Sequence, residues 1–270
     1  MTSLGGELGG KLEQAARLVL DSRYLVALVG AGLSVESGIP PFRGPGGLWT
    51  RYGQPSMLSY QEFAGDPRLW WETRLRDEVE LGNPVYELKR AVDQATPNAG
   101  HYALVELERW GVLKCSITQN VDDLQRRAGS VALVEVHGNR TRLRCIGCGR
   151  RRLREGFPMV ELPPRCPECA GTLKLDTVMF GEAIPAPALQ ACREQVLRCD
   201  CMLLIGTSGT VNPAAQLPLL ARQRGACLIE VNPHETSLTP LCDLTLSGRS
   251  EELLPALVDR LRSGRAARGL

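Results

Sequence analysis

Tyr24-Leu25-Val26-Ala27-Leu28-Val29-Gly30-Ala31-Gly32 is the stretch on which the fold turns. Six successive apolar residues without polar alternation describe a short strand buried on both faces, and such strands belong to parallel sheets. The run stops at Gly30, and Gly30-Ala31-Gly32 suits either a tight turn or a loop whose backbone approaches a pyrophosphate. Three more largely apolar runs end the same way, at polar or turn residues. Val112 to Ile117 precedes Thr118-Gln119-Asn120, Cys201 to Ile205 precedes Gly206-Thr207-Ser208-Gly209, and Ala226 to Val231 precedes Asn232-Pro233. Helical patterns occupy 11–22, 98–110, 186–198, 213–224 and 251–263. Strands alternating with helices predict an α/β fold with a doubly wound parallel sheet. Ligands of such sheets sit outside the carboxyl ends of the strands, where each of these polar signatures stands.

As a dinucleotide fingerprint the glycine loop is incomplete, because Val35 occupies the place of the third glycine in G-x-G-x-x-G. After Gly38 the chain enters Ile39-Pro40-Pro41-Phe42-Arg43-Gly44-Pro45-Gly46-Gly47, which cannot continue a helix. A hydride-transferring dehydrogenase would run directly into a long helix here. The pattern instead predicts a loop, 40–50, that closes over a ligand. Two segments interrupt the alternation: 55–95, helical and carrying Trp70 and Trp71, and the cysteine-bearing 140–176. The predicted architecture is a Rossmann-like domain built from 1–54, 96–139 and 177–270. A smaller domain combines the helical insertion 55–95 with a zinc-binding module, 140–176.

Cys145, Cys148, Cys166 and Cys169 form C-x2-C-x17-C-x2-C, the spacing of a tetrathiolate zinc site. Each pair makes a knuckle presenting two thiolates, and two knuckles close one tetrahedron. A zinc with four sulfur ligands has no open position, so it is structural and the chemistry lies elsewhere. The other six cysteines are scattered through apolar runs and are expected to be buried small hydrophobes.

With 270 residues, 43% apolar and 23% charged, the chain is an ordinary globular one. Its 32 basic and 30 acidic side chains exclude a generic polyanion binder. The longest uncharged stretch, 201–221, holds two prolines and two glycines and cannot span a bilayer. MTSLGGELGG lacks the features of a signal peptide, so a cytoplasmic protein is expected. Of the three histidines, His101 lies in an amphipathic helix and reads as structural, and His234 stands at a strand end beside a ligand edge. His137, in Val134-Glu135-Val136-His137-Gly138-Asn139, sits at the junction of the two domains, a setting for acid–base chemistry.

Together these segments resemble the sirtuin family of NAD-dependent protein deacylases. The matches are GAGLSVESGIPPFRG at 30–44, TQNVDDL at 118–124, VHGN at 136–139, the four cysteines, VMFGE at 178–182, GTSGTVNPAA at 206–215 and VNP at 231–233. The resemblance implies that Gly30, Ala31, Gly32, Phe42 and Arg43 hold the NAD phosphates and cover the nicotinamide ribose. It implies that Gln119, Asn120 and Asp122 orient that ribose and the nicotinamide, Asn120 and Asp122 counting with His137 as catalytic. Gly206, Thr207 and Ser208 would bind phosphate and ribose, with Asn232 and the Cys242 loop toward adenosine; Glu36, Trp49, Val121, Pro233 and His234 complete the cofactor set. His137 would be the general base, helping a ribose hydroxyl attack after the acyl-lysine oxygen has displaced nicotinamide. An acyl-lysine peptide would pair as a strand with backbone near Val178, Phe180 and Gly181 and around 209–212.

Two departures stand out. Pro41 replaces the Asp or Thr usual before the Phe-Arg pair, which stiffens the lid and removes a side-chain hydrogen bond. Members acting on succinyl- or malonyl-lysine carry Tyr-x-x-Arg; here the match is Trp71-Glu72-Thr73-Arg74. Trp71 and Arg74 are therefore candidate substrate-binding residues, with deacetylation expected first and acidic-acyl removal through Arg74 as the alternative. Mono-ADP-ribosyl transfer begins with the same loss of nicotinamide and stays open. So does nucleic-acid binding, since seven arginines and no acid lie between 140 and 154, beside the zinc motif.

Overall fold

The computed structural model describes residues 6–44 and 46–268. The start of the Gly-rich N-terminus (1–5), Pro45 of the 40–50 loop and the last residues of the SGRAARG tail lie outside them. In chain order the elements are α1 (Gly6–Asp21), β1 (Leu25–Val29), a 3₁₀ helix (Ala31–Ser37), α2 (Leu48–Tyr52), α3 (Ser59–Gly65), α4 (Pro67–Asp77), α5 (Pro84–Gln94) and α6 (Ala99–Arg109). Then follow β2 (Leu113–Thr118), α7 (Leu124–Ala128), β3 (Leu133–Glu135), β4 (Arg142–Cys145), β5 (Arg151–Leu153) and β6 (Leu173–Leu175). The last are α8 (Ala186–Arg198), β7 (Cys201–Ile205), α9 (Gln216–Gln223), β8 (Cys227–Asn232), β9 (Leu244–Ser247) and α10 (Ser250–Arg268).

The six-stranded sheet runs β3-β2-β1-β7-β8-β9, and every neighbouring pair in it is parallel. β1 and β7 are buried along their whole length, as an uninterrupted apolar run requires. One face packs against α1, α6 and α10 through Leu12, Leu104, Leu107, Leu257 and Leu261. The other packs against α8 and α9 through Cys192, Val196, Leu217 and Ala221. The chain order reverses between β1 and β7, so the crevice for a ligand lies outside their carboxyl ends.

Local chemistry fixes the helix starts. Asp66 and Asn83 cap α4 and α5, each followed by proline at the first helical position. At α6 the Asn98 side chain accepts the N–H groups of Gly100 and His101 while His101 Nδ1 accepts the Asn98 N–H, a capping box in which histidine replaces Glu or Gln. His101 is thereby structural, as expected, and burial pushes it down to about 4.

The cysteine segment forms a three-stranded antiparallel sheet, β5-β4-β6. Its core joins Leu143, Cys145, Cys166, Leu173 and Leu175 to Phe63 and Trp71 of the helical insertion, so the two excursions from the main sheet share one hydrophobic cluster. Among the described residues no helix is long and apolar enough to cross a membrane.

Candidate active site

The loops after β1, β2 and β7 meet at the crevice. Gly30 N–H donates to the Ile205 carbonyl (2.9 Å) and Gly32 N–H to the Gly206 carbonyl (2.8 Å). A Cβ on Gly30 would lie 2.6 Å from Gly206 O, and one on Gly32 would lie 2.5 Å from Gly206 Cα. These glycines let two strand-end loops touch backbone to backbone, and that contact sets the floor of the crevice. The chain then enters the 3₁₀ helix rather than an α-helix and leaves it at Gly38, in the left-handed region at φ 89°.

A buried hydrogen-bond chain ties the β2 loop to this floor. Asn120 Nδ2 donates to the Gly30 carbonyl (3.1 Å) and to Ser34 Oγ (3.2 Å). Ser34 Oγ donates to Asp122 Oδ2 (2.7 Å), and Asp122 Oδ1 accepts from Leu124 N–H (2.9 Å). Burial pushes the Asp122 carboxyl up, against the pull of those two donors. Gln119 Nε2 donates to Thr207 Oγ1 (2.9 Å), and Asn232 Nδ2 to the Thr207 carbonyl (3.3 Å), so the loops after β2, β7 and β8 are linked as well. Ser34 is the residue that sequence reasoning passed over. Its place two residues after Gly32 was visible, but not the inward turn of its hydroxyl on a 3₁₀ helix.

His137 follows β3, with Nδ1 3.1 Å from the Gln119 carbonyl. A carbonyl only accepts, so Nδ1 carries the hydrogen and Nε2 keeps its lone pair. Burial holds the ring below 6.5, partly offset by the Gln119 carbonyl. The result is an imidazole that is neutral near pH 7 and basic at Nε2. The His137 carbonyl accepts from Val178 N–H (2.9 Å), which fixes the 177–182 segment beside it. Gly138, at φ 75°, is pressed against the Asp176 carbonyl where any Cβ would collide.

Phe42, Trp49 and Phe180 pack in sequence across the cleft as tilted pairs, with ring centroids 5.2 and 5.5 Å apart. The exposed Arg43 guanidinium lies 4.5 Å from the Trp49 ring and donates to Thr210 Oγ1 (2.9 Å). The described part of the 40–50 loop thus bridges the 177–182 segment and the loop after β7. Exposed Arg43, the exposed Ser208 hydroxyl and the crevice between β1 and β7 are a donor set suited to the phosphates of a dinucleotide. Glu36 faces Arg249, Glu251 and Glu252 at the start of α10, with one buried carboxylate oxygen unpartnered, and the Val121 carbonyl accepts from Arg140 N–H (3.0 Å). Pro233 and His234 are exposed after β8, while the Cys242 thiol, half-buried, donates to the Leu238 carbonyl (3.3 Å).

The four cysteine sulfurs lie within 4.8 Å of one another, with Cys145–Cys169 at 3.5 Å and Cys148–Cys166 at 3.7 Å. A zinc–sulfur tetrahedron with arms of about 2.3 Å has edges of about 3.8 Å, so the geometry fits zinc.

The structure does not bring Trp71 to the cleft. Its side chain is fully buried in the small core, and its indole N–H donates to the Leu173 carbonyl (2.9 Å). Arg74 Nε is bound to Glu78 (2.8 Å), which also accepts two hydrogen bonds from Arg154 (2.9 and 2.6 Å). Burial alone would raise the Glu78 carboxyl, but Arg154 and Arg74 hold it low. Most of the basic run is likewise turned inward. Arg144 pairs with Asp176 and Glu182, Arg151 with Glu135 and Asp176, Arg152 with Glu168, and Arg140 is buried with a hydrogen bond to the Leu88 carbonyl.

A model of the Sir2 family matches residues 30–213. NAD-dependent protein deacylase 1 of Archaeoglobus fulgidus is 42% identical over 250 residues, 93% of this chain and 98% of the relative. NAD-dependent protein deacylase 2 of Pyrobaculum aerophilum is 43% identical over 92% of this chain and 94% of its own. Among solved structures, a complex of a Sir2 homologue with NAD superimposes with a TM-score of 0.77 at 43% identity, covering 93% of this chain and 94% of that one. A Sir2–p53 peptide–NAD+ complex gives 0.75 at 30% identity over 94% and 98%. A family model over two thirds of the chain and relatives above 40% identical over nearly all of it agree, and this chain belongs to the Sir2 family.

Proposed function

We propose that this chain is an NAD-dependent protein-lysine deacylase, acting first on acetyl-lysine. The observation that carries the reading is His137. It is a neutral imidazole, oriented by the Gln119 carbonyl, with Nε2 unengaged at the joint between the two domains. The names of the relatives and the NAD and peptide in the neighbouring structures support the same reaction.

Bound NAD supplies an electrophilic ribose carbon, releases nicotinamide and carries the acyl group away as an ADP-ribose ester. Asn120 and Asp122 hold the β2 loop at the depth where ribose and nicotinamide would lie. Arg43, Ser208 and backbone after β1 and β7 take the phosphates, and Asn232 with the 233–242 segment takes the adenosine end. His137 Nε2 accepts the proton of a ribose hydroxyl, a base step worth about 10²–10⁴-fold. Phe42, Trp49 and Phe180 cover the reacting centre and exclude water. The peptide adds a strand beside Val178–Gly181, and the four cysteines of the small sheet would hold a zinc that ties that sheet together. Arg74 is engaged by Glu78, which favours a neutral acyl group over succinyl or malonyl. Free thiols throughout the described chain, four of them zinc ligands, suit the reducing cytoplasm.

The test is a peptide assay with acetyl-, succinyl- and long-acyl-lysine, with and without NAD, on wild type and His137→Ala. NAD-dependent loss of acetyl that disappears in H137A is the expected result. Nicotinamide release without loss of any acyl group would replace the reading with NAD hydrolysis or ADP-ribosyl transfer.

A further inference from the structure

The 177–182 segment lies between the zinc sheet and His137, and its backbone is held from several sides. Val178 N–H donates to the His137 carbonyl (2.9 Å), and the Phe180 carbonyl accepts from Tyr60 N–H (3.0 Å). Beneath it stands Lys174, on β6, with a side chain that is wholly buried. Lys174 Nζ donates to the carbonyls of Leu175 (2.8 Å) and Thr177 (2.7 Å) and lies 3.0 Å from Glu182 Oε2. Three ammonium hydrogens meet three acceptors. Glu182 Oε2 also accepts from Met179 N–H (2.9 Å), and its Oε1 takes Arg144 at 2.5 Å. The turn closes with Glu182 N–H on the Met179 carbonyl (3.0 Å).

A buried ion pair is weak evidence for stability, since apolar side chains filling the same space often hold a fold as well. Its distinctive contribution is direction. Lys174 fixes where the Thr177 carbonyl stands and Glu182 fixes the Met179 amide, one on each side of Val178. Neither side chain lies among the residues proposed to touch NAD or the base.

We infer that Lys174 and Glu182 are positioning residues, a buried clamp that holds the 177–182 segment in the register an acyl-lysine peptide needs in order to present its acyl group to His137. This rests on the deacylase reading above. Burial pushes the Lys174 ammonium down to about 8, against the pull of Glu182 and Asp176 and with the repulsion of Arg144, the charged groups that face it. The clamp therefore weakens as pH rises through that value.

The experiment uses the zinc-loaded full chain as wild type, Lys174→Met, Glu182→Gln and the double variant. Steady-state kinetics with an acetyl-lysine peptide and NAD are measured beside backbone hydrogen exchange. In K174M the peptide KM should rise about tenfold, the worth of one charge-assisted hydrogen bond, with the NAD KM and zinc content unchanged. Exchange should quicken across 177–182 and stay slow in β7 and β8. The double variant should lose no more than K174M alone, because the two act as one unit. Wild-type peptide KM should climb above pH 8, whereas that of K174M should stay level. An unchanged peptide KM, or peptide and NAD KM rising together, would overturn the clamp. Should wild type prove inactive, the deacylase reading fails. Exchange then decides the clamp alone: opening confined to 177–182 keeps it, and no change or uniform change rejects it. If K174M does not fold, E182Q, which keeps the side chain's shape, is read by the same criteria.

Discussion

Gly32→Ala and Gly10→Ala are one chemical change placed where the structure assigns opposite signs. Gly10 lies inside α1, and a Cβ there meets nothing within 4 Å. Alanine should stabilise it by about 0.5–1 kcal/mol through lower backbone entropy in the unfolded chain. Gly32 has no positive φ, so alanine suits its backbone, and the cost is contact alone. Its new Cβ would lie 2.5 Å from Gly206 Cα and 2.9 Å from Gly206 O, where ordinary contact begins at 3.4 Å. The loops after β1 and β7 must then part by about 1 Å, and Gly206 has no slack, since its N–H is bound to the Val231 carbonyl (3.0 Å). Parting them strains the Gly32–Gly206 hydrogen bond, worth about 1 kcal/mol, and adds about 1–3 kcal/mol of overpacking. A loss of about 2–4 kcal/mol in a chain of this size lowers the thermal midpoint by something of the order of 10 °C. Because the same contact forms the crevice floor, NAD KM at saturating peptide should rise while peptide KM holds. Thermal unfolding and steady-state kinetics on both variants decide the matter. A G32A enzyme melting with wild type and keeping its NAD KM would refute the account of the floor.

Four further outcomes follow from particular groups. Chelation of the zinc should lower the thermal midpoint and quench deacylation together, with metal content and tryptophan fluorescence tracking the loss, because Cys145 and Cys166 share a core with Trp71. The acid limb of kcat/KM should have its midpoint below 6.5, since His137 is held there by burial and must be neutral to accept a proton; a midpoint above 7 would contradict this. His101, pushed down to about 4, is neutral in the fold and binds a proton on unfolding below about 6.5. Stability is therefore lost as pH falls from 6.5 toward 4, by up to about 3 kcal/mol, and His101→Gln, which preserves the capping box, should abolish that slope in denaturant titrations. Arg74→Met should change deacetylation and desuccinylation rates by the same factor, because Arg74 is bound to Glu78; selective loss of desuccinylation would restore the carboxylate-clamp role.

The main sheet was legible because β1 and β7 are uninterrupted apolar runs, and β2 and β8 are apolar but for Lys114, Ser116 and Glu230; all four end in polar or turn residues, so strand, end and polar signature could be read from one stretch. β9 was not, since Leu244-Thr245-Leu246-Ser247 alternates and is short. α1 begins at Gly6 rather than 11, and the exposed Gly6 and Gly10 give up no packing there. The four cysteines declared themselves by spacing. The arginine run did not declare its fate, because Glu78, Glu135, Asp176 and Glu182, which neutralise it, are scattered over more than a hundred residues of sequence. Trp71 misled for a related reason: a residue type matched at the right spacing says nothing of which way its helix face points, and here it points into the small core.

The zinc module's distance from the base does not make it a bystander. β4 carries Cys145 and, next to it, Arg144, whose guanidinium holds Asp176 and Glu182. Asp176 N–H is bound to the Arg142 carbonyl (2.9 Å), and its own carbonyl lies against Gly138, the neighbour of His137. Glu182 holds Met179, and Val178 is bonded to the His137 carbonyl. The four-cysteine cluster is thereby linked to His137, the proposed base, through four short steps: a peptide bond, a buried ion pair, a close backbone contact and a second peptide bond. Loosening the sheet at Cys145 displaces Asp176 first and the His137–Gly138 turn next, and a shift of about 1 Å there is enough to cost a hundredfold in rate. Metal removal should accordingly depress kcat before it unfolds the larger domain, whose cores on both faces of the main sheet contain none of the four ligands.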